Sequence, residues 1–503
     1  MASAVKNMVE TEYVMEEAMS NKTIRIGWST TDITPPQPIL MEGQMYMRYS
    51  QYVHDPITAT SLVFDNDEVQ AIFVSLDMTE VPTHALPLIK KALAEKNIPT
   101  DAISYNVTHT HNSSSFSKDF MREDNKRVYD EDILPPFPAP ENLMKEEDSQ
   151  KFFVDKITAL VCDAWNNRKP GGISTAHEYA AIGFNRRPQF GREEESIMYG
   201  DCSRDDFYKF ESGTDTSVEL LYTWDTEGKV TGVVCNVPCP SQVHELHCYL
   251  TADYWASARK AIKADLGNDV YVLSTCAAAG DLAPVDLVYL SKTNKQELLD
   301  WGGQTKEVKR NFDMEKLCDD IGDRIGEAVR RGYKTAVGKI DYTPEFEHKM
   351  LSMELPVRQV SEEDYKKAAA EVEEIHRKFS KENPMTMADL VKAFEPQGVV
   401  LRYRMQNENP MYAFNCHIIR LGNAGFATNP FELFHEYGFR IKARAKAEQV
   451  FIIQLSNDTG GYLPTKAAVE GGSYSSKPAS TTCGPDGGDV LVRKTLETLD
   501  SMW

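Results

Sequence analysis

The chain of 503 residues contains no apolar run approaching the roughly 18 residues of a membrane-spanning helix. It also lacks an excess of positive charge. Its 55 lysines and arginines face 76 aspartates and glutamates, giving a net charge of −21, and no basic stripe interrupts the acidity. That balance argues against nucleic acid or an anionic membrane as a partner. Nine cysteines, odd in number and irregularly spaced, do not make a disulfide framework; they suit reduced thiols in a cytoplasmic protein. Residues 1–22 have no apolar segment of the kind a secretory signal requires, and read as a flexible tail. No internal repeat or low-complexity tract stands out. With 41% hydrophobic and 26% charged residues, the rest is an ordinary globular composition, read as one large domain over 23–503.

Buried-strand patterns at 69–76, 103–107, 217–224, 230–237, 269–275 and 449–455 alternate with helical patterns at about 84–96, 150–168, 251–264, 313–331, 362–382, 434–447 and 489–502. The expected fold class is mixed α/β (α+β), with central mixed sheets flanked by helices. A charged, proline-rich stretch over about 116–148 reads as a lid-like insertion, and about 285–400 as a helical one.

The chemistry concentrates at strand ends. His109 and His111 close the run Ile103 to His111, and side chains at i and i+2 of a strand share a face. Two neutral imidazoles side by side suit a borderline metal such as zinc. Five further segments place ligand-type residues beside glycine or proline. They are Cys235 to Cys248, Ala277 to Pro284 with Gly280 and Asp281, Asn429 to Glu436 with Glu432, Gly460 to Thr465 with Tyr462, and Phe184 to Pro188 with Arg186 and Arg187. The spacing of Cys235, Cys239, His244 and His247 is not that of a zinc finger, and His244 to His247 is too short for a zincin helix.

Taken in order, these segments resemble the neutral (non-lysosomal) ceramidase family and its shorter bacterial relatives. The resemblance rests on GWSTTDITP from Gly27, VSLD at 74–77, THTH at 108–111, TADYW at 251–255, AAAGDLAP at 277–284, the Glu432 segment and GYLPT at 461–465. It implies a catalytic domain holding zinc, with His109, Glu432 and Tyr462 as ligands and His111 against the substrate or the reacting oxygen. Two positions depart from the family pattern. Ala283 stands where the family has its catalytic serine, and Pro240 stands where a second zinc-binding histidine usually falls. Gln242, His244 and His247 are the available substitutes, and His244 completes the expected ligand set. The extra C-terminal domain and secretion signal of true ceramidases are also not recognised here.

These departures point away from ceramide. The expectation is a hydrolase dependent on Zn2+ or another divalent metal. It would act on a small polar, sugar-derived substrate through metal-activated water, with His111 and Asp281 as general acid/base. Arg48, His54, Asp77, Arg186, Arg187 and Gln242 are the expected substrate contacts. Two alternatives stand beside it: a carbohydrate lyase or isomerase on the same scaffold, and a non-catalytic binding protein that lost the serine. A small molecule is the expected partner, with neither nucleic acid nor membrane, and a homo-oligomer is left open.

Overall fold

A computed structural model describes residues 23–116, 128–136, 138–292 and 313–503, together with the backbone of two short strands at 296–301 and 304–309. The tail expected over 1–22 lies outside the described residues.

Eight strands form the main sheet: β1 (Arg25–Asp32), β2 (Thr58–Asp65), β3 (Gln70–Leu76), β4 (Ile103–Val107), β5 (Lys169–Tyr179), β6 (Ser217–Asp225), β7 (Val230–Val237) and β8 (Tyr271–Cys276). Their order is β8-β7-β6-β5-β1-β2-β3-β4. The pairs are antiparallel except at the two edges, where β7 runs parallel to β8 and β3 parallel to β4. A second sheet has the order β9 (Phe346–Pro356), β10 (Met411–Leu421), β11 (Ala424–Thr428) and β12 (Gln449–Ile453), with β11 parallel to β12.

The sheets pack face to face. Trp28, Phe64, Phe73, Leu221 and Leu273 of the main sheet meet Phe346, Leu421, Phe426 and Phe451 of the second in one apolar cluster. Each such side chain, fully buried, contributes about 1.5–3 kcal/mol. Helices close both outer faces. α1 (Leu86–Ala94) and α2 (Glu146–Asn166) cover the β1–β4 half, while α3 (Tyr254–Leu266) and α4 (Met314–Ala336) cover the β5–β8 half. Two C-terminal helices cover the second sheet. This four-layer stack explains why the core strands read as continuous apolar runs rather than alternating ones: both faces of each sheet are covered.

The segment expected as a helical insertion divides three ways. α4 belongs to the helix layer on the main sheet, and β9 is an edge strand of the second sheet. Only α5 (Glu362–Lys378) and α6 (Met387–Glu408) form a helical hairpin, packed through a small cluster of its own. α6 lies largely within the stretch expected to be helical; it continues through Pro396 and starts at a capping box formed by Thr386 and Asp389. Of the lid expected over 116–148, residues 117–127 and Phe137 lie outside the described residues. Tyr129, Ile133 and Leu134 from its described part pack against the hairpin.

Candidate functional site

Three parallel pairs, β3/β4, β7/β8 and β11/β12, send their C-terminal ends toward one cavity of about 510 Å³. Open α/β sheets characteristically carry ligand sites at that position. After β3 come Thr79 and Glu80; after β4, His109 and His111; after β7, Gln242 and Glu245; after β11, Glu432; after β12, Tyr462.

The two histidines do not meet by strand pleating, as the i, i+2 spacing predicts. β4 ends at Val107, and His109 adopts a left-handed backbone conformation with φ of 61°. That conformation is uncommon for a residue other than glycine and marks a local cost at the site. The turn brings His109 Nε2 and His111 Nε2 to 3.3 Å. His109 is buried, and its Nδ1 lies 2.7 Å from the Thr79 carbonyl, to which it donates; this leaves Nε2 as the nitrogen facing the cavity. Glu432 Oε2 lies 3.3 Å from the same Nε2.

Glu432 and Tyr462 are register partners in a two-residue parallel pairing, with the Glu432 amide donating to the Gly461 carbonyl at 2.9 Å. Gly280 presses against this pairing. A Cβ there would stand 2.3 Å from the Glu432 carbonyl oxygen, so no side chain is tolerated without moving Glu432. Arg186, also buried, donates through Nη2 to the Tyr462 hydroxyl at 3.0 Å and to the Gly280 carbonyl at 2.8 Å. Burial pushes the Tyr462 hydroxyl well above its ordinary pKa, against the opposing pull of Arg186.

The neighbouring charges tune the histidines in opposite directions. Burial lowers the pKa of His109, but the Glu432 carboxylate outweighs it and the net shift is upward. His111 is held well below the ordinary histidine value by burial and by the adjacent His109, Arg48 and Arg186. Its Nε2 sits 2.6 Å from the Gln242 amide nitrogen, and its Nδ1 faces Glu245 Oε2 at 3.7 Å.

His109, His111, Glu432, Tyr462, Arg186 and Gln242 thus converge. The other expected site residues do not line this cavity. His244 is turned away into a cluster with Tyr249, whose hydroxyl is 2.6 Å from its Nδ1, and Gln242 occupies the place beside the histidines instead. Asp281 pairs with His435 at 2.7 Å in a region where both are 1% exposed. Arg48 is buried and spends its guanidinium on four backbone carbonyls. Asp77 makes a two-pronged pair with Arg259 at 2.7 Å, and Arg187 one with Glu211. His54 lies between Asp55 and Glu315 at 2.8 and 2.7 Å, part-exposed. These six residues were legible as important ones, but each is engaged by protein partners away from the cavity.

Residues not singled out in the sequence complete the lining: Glu42, Glu80, Glu245, Tyr199, Tyr474 and a wall from α6. Glu80 follows the β3 strand end as closely as the histidines follow β4, which was the available signal. Burial and the nearby Glu80 push the Glu42 carboxyl well above its ordinary range. The α6 wall contributes Leu390, Val391, Phe394 and Leu401 together with Gln397 and Arg402, so it is largely apolar with two polar side chains.

His109 Nε2, the Glu432 carboxylate and the Tyr462 oxygen are the groups that could hold a metal. Among the described residues no group of three or more histidine, cysteine, aspartate or glutamate side chains could do so alone. Nor, among them, is any helix long and apolar enough to cross a membrane.

No protein-family model and no curated protein matches the sequence. Among solved structures, one described as ceramidase complexed with C2 matches with a TM-score of 0.63 and 15% identity, covering 95% of this chain and 75% of that one. The neutral ceramidase from Pseudomonas aeruginosa matches with a TM-score of 0.62 and 16% identity, covering 95% and 74%. The mixed α/β architecture described above is therefore a ceramidase-like fold.

Proposed function

We propose that this chain is a metal-dependent hydrolase, with zinc as the metal, acting on a small polar, sugar-derived substrate. The observation that carries the reading is the approach of Glu432 Oε2 to His109 Nε2 at 3.3 Å, with Tyr462 paired to Glu432 in register and His111 Nε2 3.3 Å from His109 Nε2. Two donors about 2.0–2.1 Å from a tetrahedral zinc lie roughly 3.3–3.4 Å apart, so His109 and Glu432 are spaced to share the ion, and His111 stays free beside it. His109 has its Nδ1 proton committed to Thr79, the arrangement that orients a metal-binding imidazole. When bound, zinc supplies a Lewis acid and lowers the pKa of water.

The chain's own groups do the rest. His111, kept neutral, accepts the proton of an attacking water and returns it to the leaving atom, the general acid/base role. Glu245, facing Nδ1, stabilises the imidazolium between these steps. Arg186 lines the cavity with a buried Nε that has no hydrogen-bond partner, and offers that N–H to the oxygen on which negative charge develops. Neither role needs a serine, consistent with Ala283 being fully buried outside the cavity lining.

Two results test this. Purified protein loaded with zinc is expected to retain one ion per chain by elemental analysis, and His109→Ala to retain none with its fold intact. A folded wild-type chain that takes up no zinc overturns the proposal. Turnover of amide, ester or glycosidic substrates in heavy-oxygen water places label in the product if water attacks. Because the working form of His111 is the neutral one and its pKa is lowered, the acid limb of the rate profile is expected below 6.5, and His111→Asn is expected to abolish that limb.

A further inference from the structure

We propose that the α6 wall carries a subsite for an anionic group of the substrate, a carboxylate or a phosphate-type oxyanion, seated on Arg402. The proposal rests on the hydrolase reading for the identity of the site, and it adds the class of substrate.

Arg402 lines the cavity, yet its guanidinium is poorly satisfied. Its Nη1 contacts Met405 Sδ at 2.9 Å, and its buried Nε has no hydrogen-bond partner. Two titratable groups interact with it: the guanidinium of Arg358, which it opposes, and the Cys483 thiol, which burial pushes up to about 12 and so keeps uncharged. Arg358 donates to the Ser476 carbonyl and to Thr481 Oγ1 at 3.0 Å, both neutral acceptors. Among the described residues neither arginine is ion-paired with a carboxylate. Burial lowers the pKa of Arg402, and burial together with Arg402 lowers that of Arg358 to about 10.

Two like charges held together, partly removed from water and without a counter-ion, are an unfavourable arrangement unless something completes it. A guanidinium offers a planar fork of donors matched to carboxylate and phosphate oxygens. Gln397, Ser480 and Thr482 line the cavity as well. Elsewhere the lining carries Glu80, Glu245 and Glu432, and its other guanidinium, Arg186, already has Nη2 committed to the Tyr462 hydroxyl and the Gly280 carbonyl. An anionic group away from the reacting bond is therefore repelled by those carboxylates and directed to Arg402. A cavity divided in this way orients its substrate, with the anionic group on α6 and the reacting bond at His111.

The test uses inorganic phosphate and acetate as probes, against chloride at matched ionic strength, on the full chain and on Arg402→Met and Arg402→Lys. Binding is read by thermal shift and calorimetry, without turnover. Phosphate or acetate is expected to raise the melting temperature of the wild type beyond chloride. Arg402→Met is expected to weaken binding at least about tenfold while melting no lower than wild type, because it removes an uncompensated charge. Arg402→Lys is expected to bind more weakly than wild type, and it decides the matter if the methionine variant fails to fold. Tighter phosphate assigns a tetrahedral oxyanion, tighter acetate a carboxylate. No advantage over chloride, or equal binding by both variants, overturns the proposal. Zinc uptake is measured separately, so a chain that binds anions but no zinc sinks only the hydrolase reading.

Discussion

Arg48→Met is expected to destabilise the chain by about 5 kcal/mol or more, given that hydrogen bonds from a charged group are each worth roughly 1.5–3 kcal/mol. Arg48 is 1% exposed and donates to the carbonyls of Glu245 and His247 through Nη1, at 2.8 and 2.7 Å, and of Glu42 and His111 through Nη2, at 2.6 and 2.5 Å. Three separate loops end on one guanidinium. Without it, four carbonyls are left in a place that water reaches poorly. Arg48→Lys keeps the charge, but its three donors cannot span four acceptors in a planar fork, so an intermediate loss is expected. Guanidinium chloride midpoints measure both. A loss under about 1 kcal/mol for the methionine variant would show that the loops hold one another without it. The loop that ends on Arg48 at His111 also carries His109, so on the proposed zinc reading the affinity for zinc is expected to fall alongside stability.

Asp281→Asn is expected to cost about 3–5 kcal/mol, the range for breaking a buried ion pair by removing one partner. Asp281 Oδ2 lies 2.7 Å from His435 Nδ1, and Oδ1 accepts from the His435 amide at 2.9 Å. The dependence on pH has a defined shape. Burial works against the charge on Asp281, but His435 holds its pKa below the ordinary 3.8; its share of stability is present above that value and is lost as the pH falls through the lowered one. Burial likewise opposes the charge on His435, but Asp281 raises its pKa above the ordinary 6.5. That share is complete below 6.5 and is lost as the pH rises through the raised value. The gap between wild type and variant is therefore expected to be widest between about pH 4 and 6.5 and to narrow toward pH 9. Denaturation at pH 6 and pH 9 measures it; a gap that does not change with pH would mean that the pair is held as neutral groups.

The same residues show how far the sequence could be read. Strand ends carrying His109, Glu432 and Tyr462 were legible because apolar runs of strand length stop at ligand-type residues. The ceramidase-like fold was legible through a different signal, the resemblance of the THTH, AAAGDLAP and GYLPT segments, taken in order, to that family. Asp281, Arg48, Asp77 and Arg187 were legible as buried polar residues of consequence, but not as structural ones. Composition cannot distinguish a guanidinium aimed at a ligand from one aimed at four carbonyls that lie between 6 and 199 residues away. Gln242 could not be told from His244 because both sit on an irregular loop, where no period fixes which side chain turns inward. The Glu42 and Glu80 carboxylates were missed because they acquire their setting only when two loops meet. The α6 wall was legible as part of a helical stretch but not as cavity lining.

That hairpin has a further consequence. The reacting groups are rooted in the two sheets, while Leu390, Phe394, Leu401 and Arg402 ride on a continuous excursion from Glu362 to Glu408 that leaves β9 and returns to β10 with its own apolar cluster. On the proposed reading, selectivity and chemistry are encoded in different stretches of the polypeptide. A library randomised over this excursion alone would then be expected to change which guest is held while leaving the imidazoles and carboxylate in place.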